Sequence, residues 1–288
     1  MSVPAVFDYH TAKTVEEAIA LLQEHGDEAK ILAGGHSLLP AMKLRLSQPG
    51  HLIDIGRIDG LSYIREESDA IVIGPLTTYT TLERSELLRQ YFPIIPEGAS
   101  IIADQQVRNR GTIGGSIAHS DPASDMPGIV LALKPDIVVQ GAKGTRTIAA
   151  NDFFVGTFTT ALEPDEIVIA IRFAKSPAHT GSAYLKLANK ASHYAITGCA
   201  AVITRAADGT CAAASLVITG AGMETTRAKA AEAALVGKPL DEANIAEAAS
   251  HAAEDVELVS DIHGSSEYRA KMTAVIARRA MMQALERV

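Results

Sequence analysis

Two glycine-rich stretches hold the residues of this sequence that are best suited to bind an anion. Gly34-Gly35-His36-Ser37 directly follows an apolar run, and Thr112-Ile113-Gly114-Gly115-Ser116 offers the same chemistry a second time. Successive backbone N–H groups without bulky side chains can form an anion-binding nest, and the flanking hydroxyls add donors. Neither stretch carries the Lys-Ser/Thr of a Walker A loop. A single turn with two glycines is usually structural, but this pair predicts two sides of one diphosphate site.

A third glycine-rich stretch, Gly220-Ala221-Gly222-Met223-Glu224-Thr225, superficially meets the dinucleotide-binding fingerprint. It follows a predicted strand, precedes a predicted helix and has Asp241 about 20 residues further on. However, Thr225 occupies the position where a third glycine would allow close packing of helix on sheet. The preceding strands also indicate an antiparallel hairpin rather than a βαβ unit. A structural turn from strand to helix is therefore the favoured interpretation, and a nicotinamide site is the alternative.

Polar residues after the second glycine stretch have two possible roles. Asp121 and Asp125 could accept hydrogen bonds from ribose or ribityl hydroxyls, whereas the alternative for Asp125 is to cap the next helix.

His36, His119 and His193 stand singly, without the ligand spacing of a zinc site, so no metal is assigned to the chain. The cationic stretch 105–110 is either a solvated surface, a brace for the second glycine stretch or a partner contact.

Composition excludes several protein classes. The 288 residues are 47% hydrophobic and 21% charged, which is typical of a globular chain rather than a disordered or coiled-coil one. A net charge of −8 argues against non-specific nucleic-acid binding. Two cysteines exclude a disulfide scaffold and a cluster held by four thiolates of this chain. Without an apolar run of ~18 residues or a signal-like N-terminus, the chain is predicted to be cytoplasmic.

The elements that must position the glycine stretches are predicted from periodicity and capping. A first helix begins after Thr14, with Glu17 as capping-box partner, and ends at Gly26. Apolar runs predict strands at 31–33, 52–55, 71–73, 137–140, 146–148 and 167–173. Helical spacing predicts helices at 80–88, 94–102 and 126–133.

The pattern changes near residues 175–177, where a domain boundary is predicted. Three longer strands follow at 183–187, 196–205 and 211–219, the last two joined by Asp208-Gly209, a strong hairpin signal. Helices are predicted at 227–235, 241–253 and 266–287. The sequence therefore indicates an α+β fold in two parts, residues 1–176 and residues 177–288.

Two longer segments that contain the glycine stretches resemble a known family. Ala33-Gly34-Gly35-His36-Ser37-Leu38-Leu39-Pro40 with residues 42–46, and residues 106–116 with 121–127, resemble the two flavin loops of molybdenum hydroxylases. The resemblance is to the FAD-binding medium subunits of this family, which includes xanthine dehydrogenase, and is closest to the carbon monoxide dehydrogenase medium chains. It extends over essentially the whole chain, including residues 152–154, 165–167, 184–187 and 267–272. Two departures stand out: Ser192-His193 where relatives often have Gly-Asp, and Ser116 where Asn or Asp is common.

The resemblance implies a fold and a binding site. It implies an FAD domain of the vanillyl-alcohol-oxidase (PCMH) type, with lobes at about 1–57 and 58–176 and FAD between them. A three-stranded antiparallel sheet with a helical bundle would follow at 177–288. The implied contacts to the diphosphate are Ile31, Leu32, Ala33, Gly34, Gly35, His36, Ser37 and Leu38 on one side, and Thr112, Ile113, Gly114, Gly115 and Ser116 on the other. Ile102 would pack near the flavin, Asp125 would bond cofactor hydroxyls, Lys186 would approach from the C-terminal domain, and Tyr194 would lie beside the isoalloxazine.

The resemblance also implies an electron-transfer function. Electrons from a molybdenum cofactor on a large partner would pass through two [2Fe–2S] clusters on a small partner to FAD on this chain. They would leave to a quinone, NAD⁺ or O₂, and the assembly would be a dimer of heterotrimers. No residue of this chain would then be catalytic toward the substrate, which the large partner selects. The alternatives are a free-standing FAD oxidase with its own substrate pocket, and a non-catalytic scaffold subunit without cofactor.

Overall fold

The N-terminal part of the protein is a small parallel sheet with one covering helix. The computed structural model describes residues 3–288. The three strands lie in the order β1-β3-β2, all parallel. Helix α1 begins where Thr14 accepts a hydrogen bond from the amide of Glu17, and it ends at Gly26, as predicted. The elements are β1 (Asp8–Thr11), α1 (Val15–His25), β2 (Ala29–Leu32), α2 (Leu38–Lys43) and β3 (His51–Asp54).

The middle part is a five-stranded antiparallel sheet with helices packed against it. Its order is β4-β5-β10-β6-β7, so the last strand in sequence is the central strand of the sheet. The strands are β4 (Ile64–Glu66), β5 (Ala70–Ile73), β6 (Asp136–Gly141), β7 (Gly144–Ala149) and β10 (Ile167–Ala174), with a two-stranded ribbon of β8 (Phe154–Gly156) and β9 (Thr159–Thr160). The helices are α3 (Tyr79–Arg84), α4 (Glu86–Tyr91), α5 (Ile94–Ser100), α6 (Gln105–Arg108), α7 (Ile113–His119), α8 (Asp125–Leu133) and α9 (Ala150–Phe153).

The C-terminal part is an antiparallel sheet with three helices. Its strands are β11 (Thr180–Ala188), β12 (Ala195–Arg205), β13 (Cys211–Thr219) and β14 (Thr226–Arg227), paired in that order. The helices are α10 (Lys229–Leu235), α11 (Glu242–Ser250) and α12 (Ser266–Leu285). One face of the sheet packs on α12, and the opposite face packs on α8. Tyr184 of β11 is fully buried and belongs to the same core cluster as the middle sheet.

The α+β prediction is confirmed, with three local corrections. The helix predicted at 80–88 is two helices, because the side chain of Ser85 accepts from the amide of Leu88 and starts a new one. The second glycine stretch is the first turn of helix α7 rather than a loop. Residues 226 and 227 form a fourth strand, so the C-terminal sheet is not three-stranded and the predicted helix at 227 starts at Lys229.

Candidate functional site

A cavity of about 580 Å³ lies where the three parts of the protein meet. This size is within the usual range for small-molecule sites, about 300–1,000 Å³. Its walls come from the end of β2 and the start of α2, from helices α3, α6 and α7, and from the turn between β11 and β12. The predicted residues that line it are Ile31, Leu32, Ala33, Gly34, Gly35, His36, Ser37, Leu38, Ile102, Thr112, Gly115, Ser116, Asp125 and Tyr194. The structure therefore brings most of the predicted set to one surface.

The first glycine stretch presents free backbone donors to this cavity. The backbone amides of residues 34–38 donate no hydrogen bond to any group within residues 3–288. Gly35 has a φ of +76°, a conformation that glycine adopts without strain. Because consecutive unpaired N–H groups concentrate positive potential, this turn can hold an anionic group such as a diphosphate.

The first glycine stretch packs against the backbone just before the second. A Cβ placed on Gly34 would lie 2.1 Å from the carbonyl oxygen of Arg110 and 3.0 Å from the Cα of Gly111. A Cβ on Gly111 would in turn lie 2.5 Å from the Tyr79 ring. These contacts leave no room for a side chain, so the glycines set the distance between the two walls of the cavity.

Four of the five amides in the second glycine stretch are already paired, contrary to prediction. Ile113 donates to the Thr77 carbonyl at 3.1 Å and Gly114 to the Pro75 carbonyl at 2.9 Å. The amides of Gly115 and Ser116 both donate to Thr112, at 3.2 Å to its hydroxyl and 3.0 Å to its carbonyl. This stretch therefore supplies a wall, not a nest.

Helical periodicity explains which residues of α7 reach the cavity. Gly115, Ser116, Ala118 and His119 face it, whereas Ile113 and Gly114 are buried on the opposite face and do not line it. A Cβ on Gly114 would lie 2.4 Å from Cβ of Pro75. Gly114 is thus required by packing against Pro75, not by the approach of a ligand.

Asp125 lines the cavity, and its carboxylate accepts hydrogen bonds from two buried side chains of β11. Tyr184 donates to Oδ1 at 2.6 Å, and the Lys186 ammonium donates to Oδ2 at 2.7 Å. Burial raises the pKa of Asp125, and the charge of Lys186 opposes that shift. The capping alternative is wrong: Ser124 is the N-cap position of α8, and Asp125 is the first helical residue, without a side-chain cap bond.

Lys186 does not line the cavity, although it was predicted as a contact. Its ammonium donates to Asp125 and, at 2.6 Å, to the carbonyl of His193. With 3% of its side chain exposed, it reaches no open surface. It therefore positions the turn that carries Tyr194 rather than touching a ligand in the cavity.

Tyr194 ends a tight turn between β11 and β12. Asn189 donates its amide to the Tyr194 carbonyl at 2.8 Å, and its side-chain oxygen accepts from the Ala191 amide at 2.8 Å. His193 adopts a φ of +60° within this turn. Partial burial in the cavity wall raises the pKa of the Tyr194 hydroxyl. The turn thus fixes one aromatic ring at the cavity, on the side of the C-terminal part.

Several lining residues were not predicted from the sequence, among them Tyr79, Val107, Ala118, His119 and Phe158. The His119 and Phe158 rings lie 5.1 Å apart. Had residues 113–119 been identified as a helix, the spacing from Gly115 would have indicated Ala118 and His119. Phe158 lies 39 residues further on, counting from His119, and carries no comparable local signal.

The remaining predicted features have structural roles. The strands before the third glycine stretch pair antiparallel, as the structural-turn interpretation predicts, and a Cβ on Gly220 would lie 2.2 Å from the Ala195 carbonyl oxygen. Arg108 donates to the carbonyls of Ile102 and Ala103 at 3.0 and 3.3 Å, so the cationic stretch braces the cavity wall here. Among residues 3–288, no helix is both long enough and apolar enough to span a membrane.

Comparisons with family models and with known proteins all identify the same family for this chain. Residues 5–175 match the family model of the FAD binding domain in molybdopterin dehydrogenase, and residues 182–284 match that of the CO dehydrogenase flavoprotein C-terminal domain. The carbon monoxide dehydrogenase medium chain of Hydrogenophaga pseudoflava is 41% identical over 285 residues, 99% of each chain. Subunit alpha of the 6-hydroxypseudooxynicotine dehydrogenase complex of Paenarthrobacter nicotinovorans is 38% identical, over 99% of this chain and 96% of the relative.

A solved structure gives the same result for the fold. Carbon monoxide dehydrogenase from H. pseudoflava, in a form that lacks the Mo-pyranopterin moiety of the molybdenum cofactor, contains a chain with a TM-score of 0.95 and 44% identity. The match covers 99% of both chains. The family resemblance that residues 33–46 and 106–127 suggested is confirmed, as is the predicted fold class.

Proposed function

Because the chain belongs to the family of FAD-binding subunits of molybdenum hydroxylases, we propose that it relays electrons. It accepts them from iron–sulfur clusters on a partner and passes them through FAD to an external acceptor. The observation that carries this proposal is the row of unpaired amides at residues 34–38, which faces a cavity walled by all three parts of the chain.

The residues of the cavity fit FAD. The amides of residues 34–38 would hold the diphosphate, and Gly35 allows the turn that aligns them. Asp125 keeps acceptor capacity for a cofactor hydroxyl, because each of its oxygens has accepted only one hydrogen bond from the protein. Tyr194 offers an aromatic face to the isoalloxazine. When bound, FAD supplies the redox chemistry, and the chain supplies binding and orientation.

In this proposal the electrons come from another polypeptide. Cys199 and Cys211 are both buried, and burial raises the pKa of Cys199 to about 12, so neither suits cluster ligation. We therefore assign two [2Fe–2S] clusters to a small partner subunit and the molybdenum cofactor to a large one. The name "medium chain" of the relatives supports such a three-component unit. Closed symmetry favours a dimer of these heterotrimers.

The domain boundaries and the location remain part of the proposal. We place an FAD domain at residues 1–176, with lobes at about 1–57 and 58–176, and a second domain at residues 177–288. The ends of β3 at Asp54 and of β10 at Ala174 support these limits. The external acceptor is a quinone, NAD⁺ or O₂, and the location is cytoplasmic.

The test compares the isolated chain with the assembled complex. The flavin absorbance near 450 nm is followed under anaerobic conditions after adding candidate substrates: carbon monoxide, a purine, a nicotine-type heterocycle or an aldehyde. We expect no bleaching with the isolated FAD-loaded chain, and bleaching by one substrate when both partners are co-expressed.

Two results would contradict the relay. Bleaching of the isolated chain would identify a self-contained oxidase, and an assembled, active complex without flavin would identify a scaffold. A complex carrying Gly34→Ala serves as the control, because its clusters should still be reduced by substrate while electron delivery to the acceptor stops.

A further inference from the structure

Three histidines far apart in sequence meet in the N-terminal part, away from the cavity. His10, His25 and His51 each present a ring nitrogen, and these nitrogens lie within 4.8 Å of one another. The Nε2 of His10 is 3.1 Å from Nδ1 of His51, and the His25 and His51 rings stack at 3.7 Å. All three side chains are half-buried. We infer that they form a binding site for one Zn²⁺ ion.

The fold explains why these residues converge. In the parallel register, His10 of β1 pairs with Ile53 of β3, two residues after His51, so all three side chains point to one face of the sheet. Helix α1 covers that face, and its buried Leu22 and the core residue Ile53 belong to one hydrophobic cluster. His25 follows Leu22 by three positions and therefore continues the same helical stripe over the strands.

The donor set selects the kind of metal. Imidazole suits Zn²⁺ and neighbouring transition ions, whereas Mg²⁺ and Ca²⁺ prefer oxygen ligands. Two nitrogens bound to one tetrahedral zinc at ~2.0–2.1 Å lie about 3.3 Å apart, close to the 3.1 Å between His10 and His51. Three imidazoles leave a fourth position for water, as in other three-histidine zinc sites.

The surroundings favour a cation. His25 is the last residue of the eleven-residue helix α1, where the helix dipole places its negative end. Within residues 3–288, the only hydrogen bond among these ring nitrogens is the one between His10 and His51, and the His25 ring makes none. The nitrogens of His25 are therefore free to coordinate. Binding requires one adjustment, because two stacked rings cannot both direct a nitrogen at the same ion. The His25 ring must rotate out of the stack about its χ2 torsion, which has a broad energy minimum in histidine.

The test uses the full FAD-loaded chain without any added histidine tag, first freed of metal by a chelator. Zn²⁺ is titrated by calorimetry, and Co²⁺ by visible absorption. We expect one Zn²⁺ per chain, and for Co²⁺ the intense visible bands of four-coordinate rather than hydrated ion. His25→Gln should weaken Zn²⁺ binding by at least about ten-fold, since even the loss of a ligand's supporting partner costs 10–100-fold.

The control is His179→Asn. His179 lies in a turn with a φ of +61°, which asparagine tolerates, and it is outside the cluster. Zn²⁺ binding should equal that of the parent chain. The inference is overturned if the parent binds no Zn²⁺, or if folded His25→Gln binds it as tightly as the parent. Should His25→Gln fail to fold, the Co²⁺ spectrum of the parent decides alone: weak bands of the hydrated ion would reject the site.

Discussion

The ammonium of Lys186 on β11 lies 2.7 Å from Oδ2 of Asp125 on α8, with 3% and 6% of the two side chains exposed. This buried ion pair joins the C-terminal sheet to a helix of the preceding part, at the edge of the cavity. The same ammonium donates to the carbonyl of His193, next to Tyr194. One charge thus joins Asp125 to the turn that carries Tyr194, and both residues line the cavity.

Lys186→Met should strongly destabilise the protein. Removing one partner leaves the Asp125 carboxylate buried without a counter-charge, which typically costs about 3–5 kcal/mol. Urea unfolding measures the loss. The matched control is Lys271→Met, because Lys271 and Glu267 form an exposed pair, with side chains 73% and 77% exposed. It should change stability by less than about 1 kcal/mol. Equal losses in the two variants would show that burial of the pair is unimportant.

Gly34→Ala should remove FAD. The added methyl would overlap the Arg110 carbonyl, so the first glycine stretch and the backbone just before the second must move apart. Overpacking of this kind costs ~1–3 kcal/mol, which corresponds to about 5- to 150-fold weaker FAD binding. Bound FAD per chain is measured by absorbance after desalting. Gly50→Ala is the control, because its methyl would meet nothing closer than 3.5 Å. Full FAD occupancy in Gly34→Ala would refute the role of this contact.

Tyr194→Ala should change the redox behaviour of the flavin while most FAD stays bound. The ring lines the cavity, but the free amides at residues 34–38 belong to another wall and remain. Potentiometric titration and stopped-flow reoxidation measure the effect. Tyr194→Phe keeps the ring and separates its contribution from that of the hydroxyl. If the alanine variant matches the parent in both measurements, Tyr194 does not contact the flavin.

Local signals predicted much of this fold. Thr14 and Gly26 mark the ends of α1 because capping is decided by neighbours in sequence. The second glycine stretch was misjudged, since glycines disfavour helices by about 1 kcal/mol each. Burial of Ile113 and Ile117 and the fit of Gly114 against Pro75 outweigh that preference. Such packing is set by distant parts of the chain.

The site could be predicted only where its contacts are local. Residues 31–38 are continuous, so their turn was visible in the sequence. Lys186, by contrast, is 61 residues from Asp125. The sequence does not show that the Lys186 ammonium binds the Asp125 carboxylate and therefore does not line the cavity. The three clustered histidines were missed for the same reason, since their contact depends on strand order and not on spacing.

The free energy of unfolding should depend slightly on pH through His251, the C-cap residue of α11. The carboxylates of Glu254 and Glu247 raise the pKa of His251 above its ordinary value. A raised histidine pKa contributes stability below the unfolded value of about 6.5 and loses it as pH rises through the folded value. As pH rises from the unfolded pKa through the folded pKa of His251, the parent should therefore lose stability relative to His251→Gln.

NMR titration of the His251 ring provides the direct measurement. The ring should titrate above the ordinary histidine value in the parent, and closer to it when Glu247 and Glu254 are both replaced by glutamine. An unshifted ring in the parent would contradict the contacts at 2.6 and 3.4 Å.

The strand order of the middle sheet has a consequence for how the protein is made. Strand β10, residues Ile167–Ala174, lies between β5 and β6 and leaves the ribosome after every other strand of that sheet. A nascent chain that ends before residue 167 therefore holds two unjoined strand pairs, β4-β5 and β6-β7, with open edges. The N-terminal parallel sheet, complete by Asp54, can form much earlier. Since residues 192–194 also line the cavity, its walls are complete only late in synthesis, after both sheets of the first 174 residues have closed.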